Sequence, residues 1–458
     1  MKALLRPLVV SLALTGCDRP LPPPRPTPTP APTPVVIARP TPPPVPTPTP
    51  VPTLPRKPVE LGKLFNGVTF KTKFVTPGSR EPASLERDDE NSYAVEITFT
   101  AKLPRPSLTI EDIAANDPKL PEVLNQMPRL IATATVSPFF EKLYSNKIST
   151  IRQELFALDQ VLSRHNFYDC ETILQFKSPE TGRKALLVVG DMDVNVDGSD
   201  GDRNVQVDDS GRFFQPQTSY RWPKTTDRPN PFIAKAQSHI AALKAEAAAP
   251  GLSARRKTEI QQAIQHQTRT ISDLKSSSFL VSEADPTIVL PGFMLRDSSD
   301  AYSPGIGDYA AVIYNGVVYP AIVGDAGPNA KVGEGSVRLS RQINPKASAA
   351  SRSVSNIKVS YLVFPGTADK PAPPDLVKWR EKTKQYLDEI GGTAPELFTW
   401  ENTVPPWPTP PPPPPPEPSP MAMPAATPSE ETAPPVVAPE VQTSAPANPT
   451  IVTPPATP

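Results

Sequence analysis

Alternation of apolar and polar positions locates most of the regular structure. In "YAVEITF" Tyr93, Val95, Ile97 and Phe99 share one face, which predicts a half-buried strand. Thr150 starts a predicted helix, with Gln153 in capping-box position and Ile151, Leu155, Leu158 and Leu162 on one side. "KALLVVGDMDV" is a continuous apolar strand that runs into an acidic loop. Residues 233–275 differ: two polar helices broken at Pro250-Gly251, with a narrow stripe of Ile260, Ile264, Ile271 and Leu274. This pattern predicts a helical hairpin inserted into a β-rich domain. The strongest local signal is "AAVIYNGVVYPAIVGD", where Asn315-Gly316 separates two β-branched and aromatic runs. Both turn residues tolerate positive φ, so a hairpin is expected whose second strand runs out to Asp325. A later strand, "KVSYLVFPG", begins at Lys358.

The ends of the chain have a different composition. The 67 prolines concentrate there, and Thr-Pro repeats favour extended polyproline II over any packed core. Residues 18–58 are therefore expected to be a disordered spacer and 403–458 a disordered tail, flanking a domain at 59–402. Residues 1–17 carry basic Lys2 and Arg6, an apolar stretch from Leu8 to Leu14, and "LTGC". That ending resembles the bacterial lipobox, which implies lipidation at Cys17 and a membrane partner reached through a lipid anchor. The expected location is the cell envelope, on the periplasmic or extracellular face. The apolar stretch is too short to span a bilayer.

Charge and rare residues narrow the chemistry. The formal net charge is zero, so nothing points to nucleic acid. With three histidines and two cysteines, a zinc site or a Ser-His-Asp centre is hard to build. Cys170 is expected to be a buried, inert thiol, and no metal or cofactor is called for. Carboxylates are the remaining workers.

Two groups of them stand out. Asp325 and Glu334 lie nine positions apart on the glycine-rich "GDAGPNAKVGEGS". Such a pair can serve as acid and base in glycosidic cleavage, although acidic turns are more often simply solvated. Gly190 to Gly211 holds seven aspartates in twenty-two residues, opposed by Arg203 and Arg212. Its Asp193-x-Asn195-x-Asp197-Gly198 start mimics a calcium loop, but position twelve is Asn204 and no helix precedes it. A calcium site of another geometry, an anionic wall for a cationic ligand and a solvated turn all remain open. Phe213, Phe214, Tyr220 and Trp222 follow closely and could stack on sugar rings or pack a core.

At these residues the chain resembles the fungal-type chitosanases, glycoside hydrolase family 75. "DMDVNVDG" is similar to that family's "DMDIDCDG" block, and "TSYRWPKTTDRPNPF" and "DPTIVLPGFML" resemble the stretches that follow. "GDYAAVIYNGVVYPAIVGDAGPNAKVGEGSVRLS" is similar to the block that carries the family's two essential acids. The resemblance covers roughly 165–365, interrupted by the helical hairpin.

It implies an α+β, β-rich fold: a compact β-barrel, the double-psi type being the candidate form, with N-terminal helices and the helical insertion. It implies an endo-chitosanase-like glycosidase that cleaves β-1,4 links of chitosan, or a related amino-sugar polymer, with inversion. Asp325 and Glu334 match the catalytic acids; Glu334 is assigned as general acid and Asp325 as base, with the reverse still open. Asp191, Asp193, Asp197, Tyr220, Asp308 and Tyr309 are the expected substrate-binding residues, with Asp191, Asp193 and Asp197 pairing with protonated amines. Asn195 and Val196 replace a family aspartate and cysteine, so a disulfide there is not expected. Two other readings stand beside this one: a peptidoglycan-cleaving envelope lipoprotein, and a non-catalytic lipoprotein that binds glycan or a partner protein.

Overall fold

The computed structural model describes residues 67–75, 94–157 and 162–407. The expected lipobox with Cys17, the spacer and most of the proline tail lie outside them.

Strands β1 (Val68–Val75) and β2 (Ala94–Ala101) form a separate antiparallel ribbon. Alternation placed β2 correctly, yet Val95 and Ile97 are 51% and 58% exposed. Among the described residues β2 pairs with β1 alone, and the Phe99 ring packs edge-on to Phe167 of the body. Short helices α1 (Ile110–Asn116), α2 (Leu120–Val123) and α3 (Met127–Ala132) precede β3 (Thr135–Val136).

Helix α4 (Pro138–Ala157) starts well before the expected Thr150. Pro138 suits the first turn, and the Ser137 hydroxyl accepts from the Phe139 N–H at 3.2 Å. The Thr150 hydroxyl instead donates back to the Asn146 carbonyl within the helix. Phe139, Phe140, Leu143, Tyr144, Lys147 and Ile151 form its buried face.

After α5 (Arg164–Phe167) come β4 (Cys170–Lys177), the long β5 (Lys184–Asn195) and short β6 (Arg221–Pro223). The expected helical hairpin follows as α6 (Phe232–Ala247) and α7 (Ala254–Ser276). Ser253 caps α7 by accepting from the Arg256 N–H, and Ile260 and Leu274 are buried, as their spacing predicts. Strand β7 (Ser277–Phe279) continues from α7 and pairs with β6.

The remaining elements are β8 (Thr287–Pro291), α8 (Gly292–Leu295), β9 (Tyr309–Tyr314), β10 (Val317–Gly327), β11 (Glu334–Ser336), α9 (Val337–Ile343), β12 (Val354–Val363) and α10 (Leu376–Glu389). The β9–β10 turn is the expected one, with φ of 55° at Asn315 and 83° at Gly316. Strand β12 starts at Val354, upstream of the expected Lys358, with a register irregularity before Val359.

Six strands close on themselves in the order β11-β8-β10-β9-β12-β5, because β11 also pairs with β5. Strands β4 and β3 extend the sheet beyond β5. The pairs β10–β8 and β11–β5 are parallel, the others in the ring antiparallel. The β-rich barrel with added helices and a helical insertion is thus present.

Strand residues alternate between two apolar clusters. Val188, Met192, Ile288, Leu290, Val312, Val323 and Tyr361 share one, and Leu187, Val189, Ala311, Ile313, Ile322 and Leu362 belong to the other. Leu120, Met127, Leu130, Trp379 and Leu387, from α2, α3 and α10, pack into the second. Full burial of one such aliphatic side chain contributes about 1.5–3 kcal/mol.

Candidate active site

The register of four strands builds the site. Asp325 of β10 pairs with Val289 of β8, Val289 pairs with Glu334 of β11, and Glu334 pairs with Asp193 of β5. Directly opposed residues point to the same face of a sheet. Asp325, Val289, Glu334 and Asp193 therefore form one row across the barrel wall. Their face is opposite to that of Met192, Ile288, Leu290 and Val323. One interstrand spacing is about 4.8 Å, so the Asp325 and Glu334 backbones stand about 10 Å apart.

A bulge puts Asp325 in that row. Val323 pairs with Ile288 and Asp325 with Val289, so Gly324 is skipped. In a regular ladder Asp325 would instead oppose Leu290 and point to the other face. Only glycine fits there, since a Cβ on Gly324 would lie 2.8 Å from Thr287 Cβ.

An open cleft of about 880 Å³ lies over the row, lined by Asp193, Asp197, Asp325, Glu334, Lys331 and Arg352 among others. Phe213 also lines it and is 78% exposed, available as a platform for a sugar ring. The other aromatics expected near the cleft pack elsewhere. Phe214 stacks on Phe232, and buried Trp222 lies under the Arg203 guanidinium.

The two acids sit in different surroundings. Asp325 Oδ1 accepts from the Ser219 N–H at 2.9 Å, the Ser219 hydroxyl at 2.5 Å and the Ala326 N–H at 2.7 Å. Burial still pushes its carboxyl up, against the lowering effect of those donors, with Glu334 nearby adding to the rise. Glu334 Oε1 instead meets the Lys331 ammonium at 2.6 Å. Lys331 also contacts Asp193 Oδ2 at 2.7 Å, and Arg352 Nε lies 2.5 Å from Asp193 Oδ1. Burial opposes the charge on Lys331, but Glu334 and Asp193 more than offset it and raise its pKa. Asp197 accepts from the Gln215 N–H and the Asn195 amide. Burial pushes its carboxyl up to about 7; the Gln215 N–H opposes this, and Asp325 nearby raises it further.

Beneath the row lies a second polar layer. Asp191 is buried under Gly333 rather than in the cleft, with His165 Nδ1 3.2 Å from its Oδ2. Burial, then Asp169 and Asp193, push its carboxyl well above the usual range. Deeper still, Lys147 of α4 lies 2.8 Å from Asp169 Oδ2 and donates to the Asn166 and Ala330 carbonyls at 2.5 and 2.9 Å. Asp169 Oδ2 also accepts from the Val332 N–H at 3.2 Å. This pair thereby ties α4 to the loop that carries Lys331 and ends at Glu334.

Gly333 is the tight point of that loop. Its φ is +83°, its carbonyl accepts from the Asp193 N–H at 2.8 Å, and an added Cβ would come within 2.6 Å of the Asp191 carbonyl. Gly333→Ala is expected to destabilise the protein by about 1–3 kcal/mol or more from backbone strain, read as a lowered midpoint in urea unfolding.

The expected substrate-binding residues divide. Asp193 and Asp197 line the cleft, while Asp191 does not reach it. Tyr220, Asp308 and Tyr309 lie outside it as parts of the frame. The Tyr220 hydroxyl bonds both the carbonyl and the N–H of Ala372. Buried Asp308 accepts from the backbone N–H groups of Gly305, Gly366, Thr367 and Ala368. The Tyr309 hydroxyl donates to Asp369 at 2.9 Å.

Much of the expected anionic wall is neutralised internally as well. Arg203 pairs with Asp200 and Asp285, and Asp202 accepts from Lys224, Thr225, Thr226 and Ser278. Among the described residues, no group of three or more His, Cys, Asp or Glu side chains is placed to hold a metal ion. Cys170 is buried, as expected.

Sequence reasoning missed Lys331, Arg352, Ser219, Lys147 and Asp169. Lys147 did leave a signal, since it falls with Leu143 and Ile151 at helical spacing on an otherwise apolar face.

Carboxylates spaced across a barrel wall, over an open cleft, suit the glycan-cleaving class of site. Comparison with protein families agrees: residues 192–399 match the family described as fungal chitosanase of glycosyl hydrolase group 75. The match spans under half of the chain and supports a glycoside hydrolase domain that acts on polysaccharide. The match includes Asp193, Asp197, Asp325, Glu334 and Arg352; Lys147 and Asp169 precede it. No curated protein matches the chain.

Proposed function

We propose that the domain hydrolyses β-1,4 links in chitosan, or a related amino-sugar polymer, by an inverting mechanism carried by Asp325 and Glu334. The observation that carries this is their position in one row with Val289 between them. A backbone separation of about 10 Å suits carboxyl groups about 6.5–9.5 Å apart, which leaves room for a water on one face of the sugar.

Electrostatics favour the reverse of the roles first assigned. Burial disposes Asp325 to hold a proton, so it serves as the acid that protonates the leaving oxygen. Glu334, paired with an ammonium, serves as the base that takes a proton from the attacking water. The Ser219 bonds to Oδ1 leave Oδ2 of Asp325 to face the glycosidic oxygen.

Asp193 and Asp197 give the cleft an excess of carboxylates over Lys331 and Arg352, which suits protonated glucosamine. Those two cations are the observation that favours the alternative, a glycan bearing carboxylates such as peptidoglycan. Release of reducing ends from chitosan but not from sacculi supports the first reading, and the opposite pattern supports the second.

The acid assignment has a pH signature. Asp325 must be protonated, so kcat/KM falls as pH rises through its value in the folded protein. The Ser219 hydroxyl donates to its carboxyl and lowers that value. Ser219→Ala removes that donor, so the alkaline limb moves to higher pH. A limb that stays in place contradicts the assignment.

A further inference from the structure

The helical insertion interrupts the family resemblance, yet it reaches the site. Asp197 and Asp325 line a second pocket as well as the main cleft, so the two cavities meet at these carboxylates. The second pocket has a volume of about 490 Å³, and Gln215, Gln217, Ser219 and Arg221 supply much of its polar lining. A cavity of this size falls in the range that holds small ligands. Two residues of its wall, Gln217 and Arg221, are braced by the insertion. Asp273 of α7 accepts from the Gln217 side-chain amide at 2.9 Å, and its other oxygen lies 3.2 Å from Arg221 Nη1. The Thr270 hydroxyl, one turn earlier on α7, donates to Gln217 Oε1 at 3.3 Å. Arg221 is further fixed because β6 pairs with β7, the strand that continues α7.

The two sides differ in chemistry. The main cleft holds Lys331, Arg352, Glu334 and the exposed Phe213. Across Asp325 the surface is dominated by amides and hydroxyls, whose donors and acceptors match sugar hydroxyl groups. A glycan chain cleaved at Asp325 must continue past it in both directions, and this pocket lies in one of them.

We propose that the second pocket is a glycan subsite, braced by the inserted helices, that takes a hexosamine unit on the far side of Asp325 from the main cleft. This rests on the hydrolase reading above. Gln217 and Arg221 contact the sugar, and Asp273 is a positioning residue that aims both.

The test uses the full chain with glucosamine oligomers of defined length. Asp273→Ala is one variant, chosen because its side chain is 39% exposed and dispensable for packing. Gln217→Ala combined with Arg221→Ala is the other. For the hexamer, kcat/KM is expected to fall about tenfold, equivalent to about 1.4 kcal/mol, and the cleaved positions to shift along the chain. The smallest substrate that is cleaved is expected to change less than about twofold, because few of its units reach the subsite. Hexamer binding is measured in parallel in a Glu334→Gln background and is expected to weaken by a similar factor.

A wild-type protein that cleaves the hexamer, with variants unchanged in rate and cleavage position, overturns the subsite alone. Binding without cleavage, weakened in both variants, sinks the hydrolase reading and supports the subsite. Binding without cleavage that the variants leave intact overturns both, as does absence of binding and cleavage.

Discussion

Glu334→Gln and Asp325→Asn are each expected to lower kcat on chitosan by about 10²–10⁴-fold, the contribution of one positioned acid or base. Both replacements keep shape and remove the titrating proton. Neither should unfold the protein. After Asp325→Asn the new amide carbonyl can still accept from Ser219. After Glu334→Gln the amide carbonyl can still receive the Lys331 ammonium, so urea midpoints should stay near wild type. A variant that retains full turnover would remove its residue from the mechanism. Loss in both, with chitosan affinity preserved, is the pattern of groups that act on the transition state.

The second large effect is on stability. Lys147→Met is expected to destabilise the fold by about 3–5 kcal/mol, because it strands the buried Asp169 carboxylate without its cation. The Ala330 and Asn166 carbonyls also lose their donor. Lys147→Met combined with Asp169→Asn should recover part of the loss, since no buried charge is then left unpaired. The check is denaturant unfolding of the single and double variants. An additive pair would show that the two side chains act independently.

The sequence made the barrel's best strands legible because their signals are local. The Asn-Gly turn at Asn315 needs positive φ twice, and few other patterns do. The helical insertion was equally plain, with a narrow apolar stripe bounded by Pro250-Gly251. The start of α4 was missed because a capping-box spacing at Thr150 outweighed Pro138, whereas the Thr150 hydroxyl bonds back within the helix.

At the site, Asp325 and Glu334 were nameable from type and resemblance, but their alignment was not. It depends on a one-residue bulge at Gly324 and on β11 pairing with two strands, and both are long-range facts. The same limit explains Tyr220, Asp308 and Tyr309. Their polar atoms suggested contact with substrate, yet they are engaged by backbone groups and by an aspartate distant in sequence. Acidic composition misled for a related reason. Arg203 meets the distant Asp285 as well as nearby Asp200, and Lys224 meets Asp202 across the loop, pairings that the fold sets.

The most direct test of the central claim is the anomeric form of the first product, followed by proton NMR during hydrolysis of a glucosamine oligomer. Two acids set apart by an intervening strand predict that the α-anomer appears first and then mutarotates. Initial release of the β-anomer would mean retention at the cleaved bond and would contradict the account.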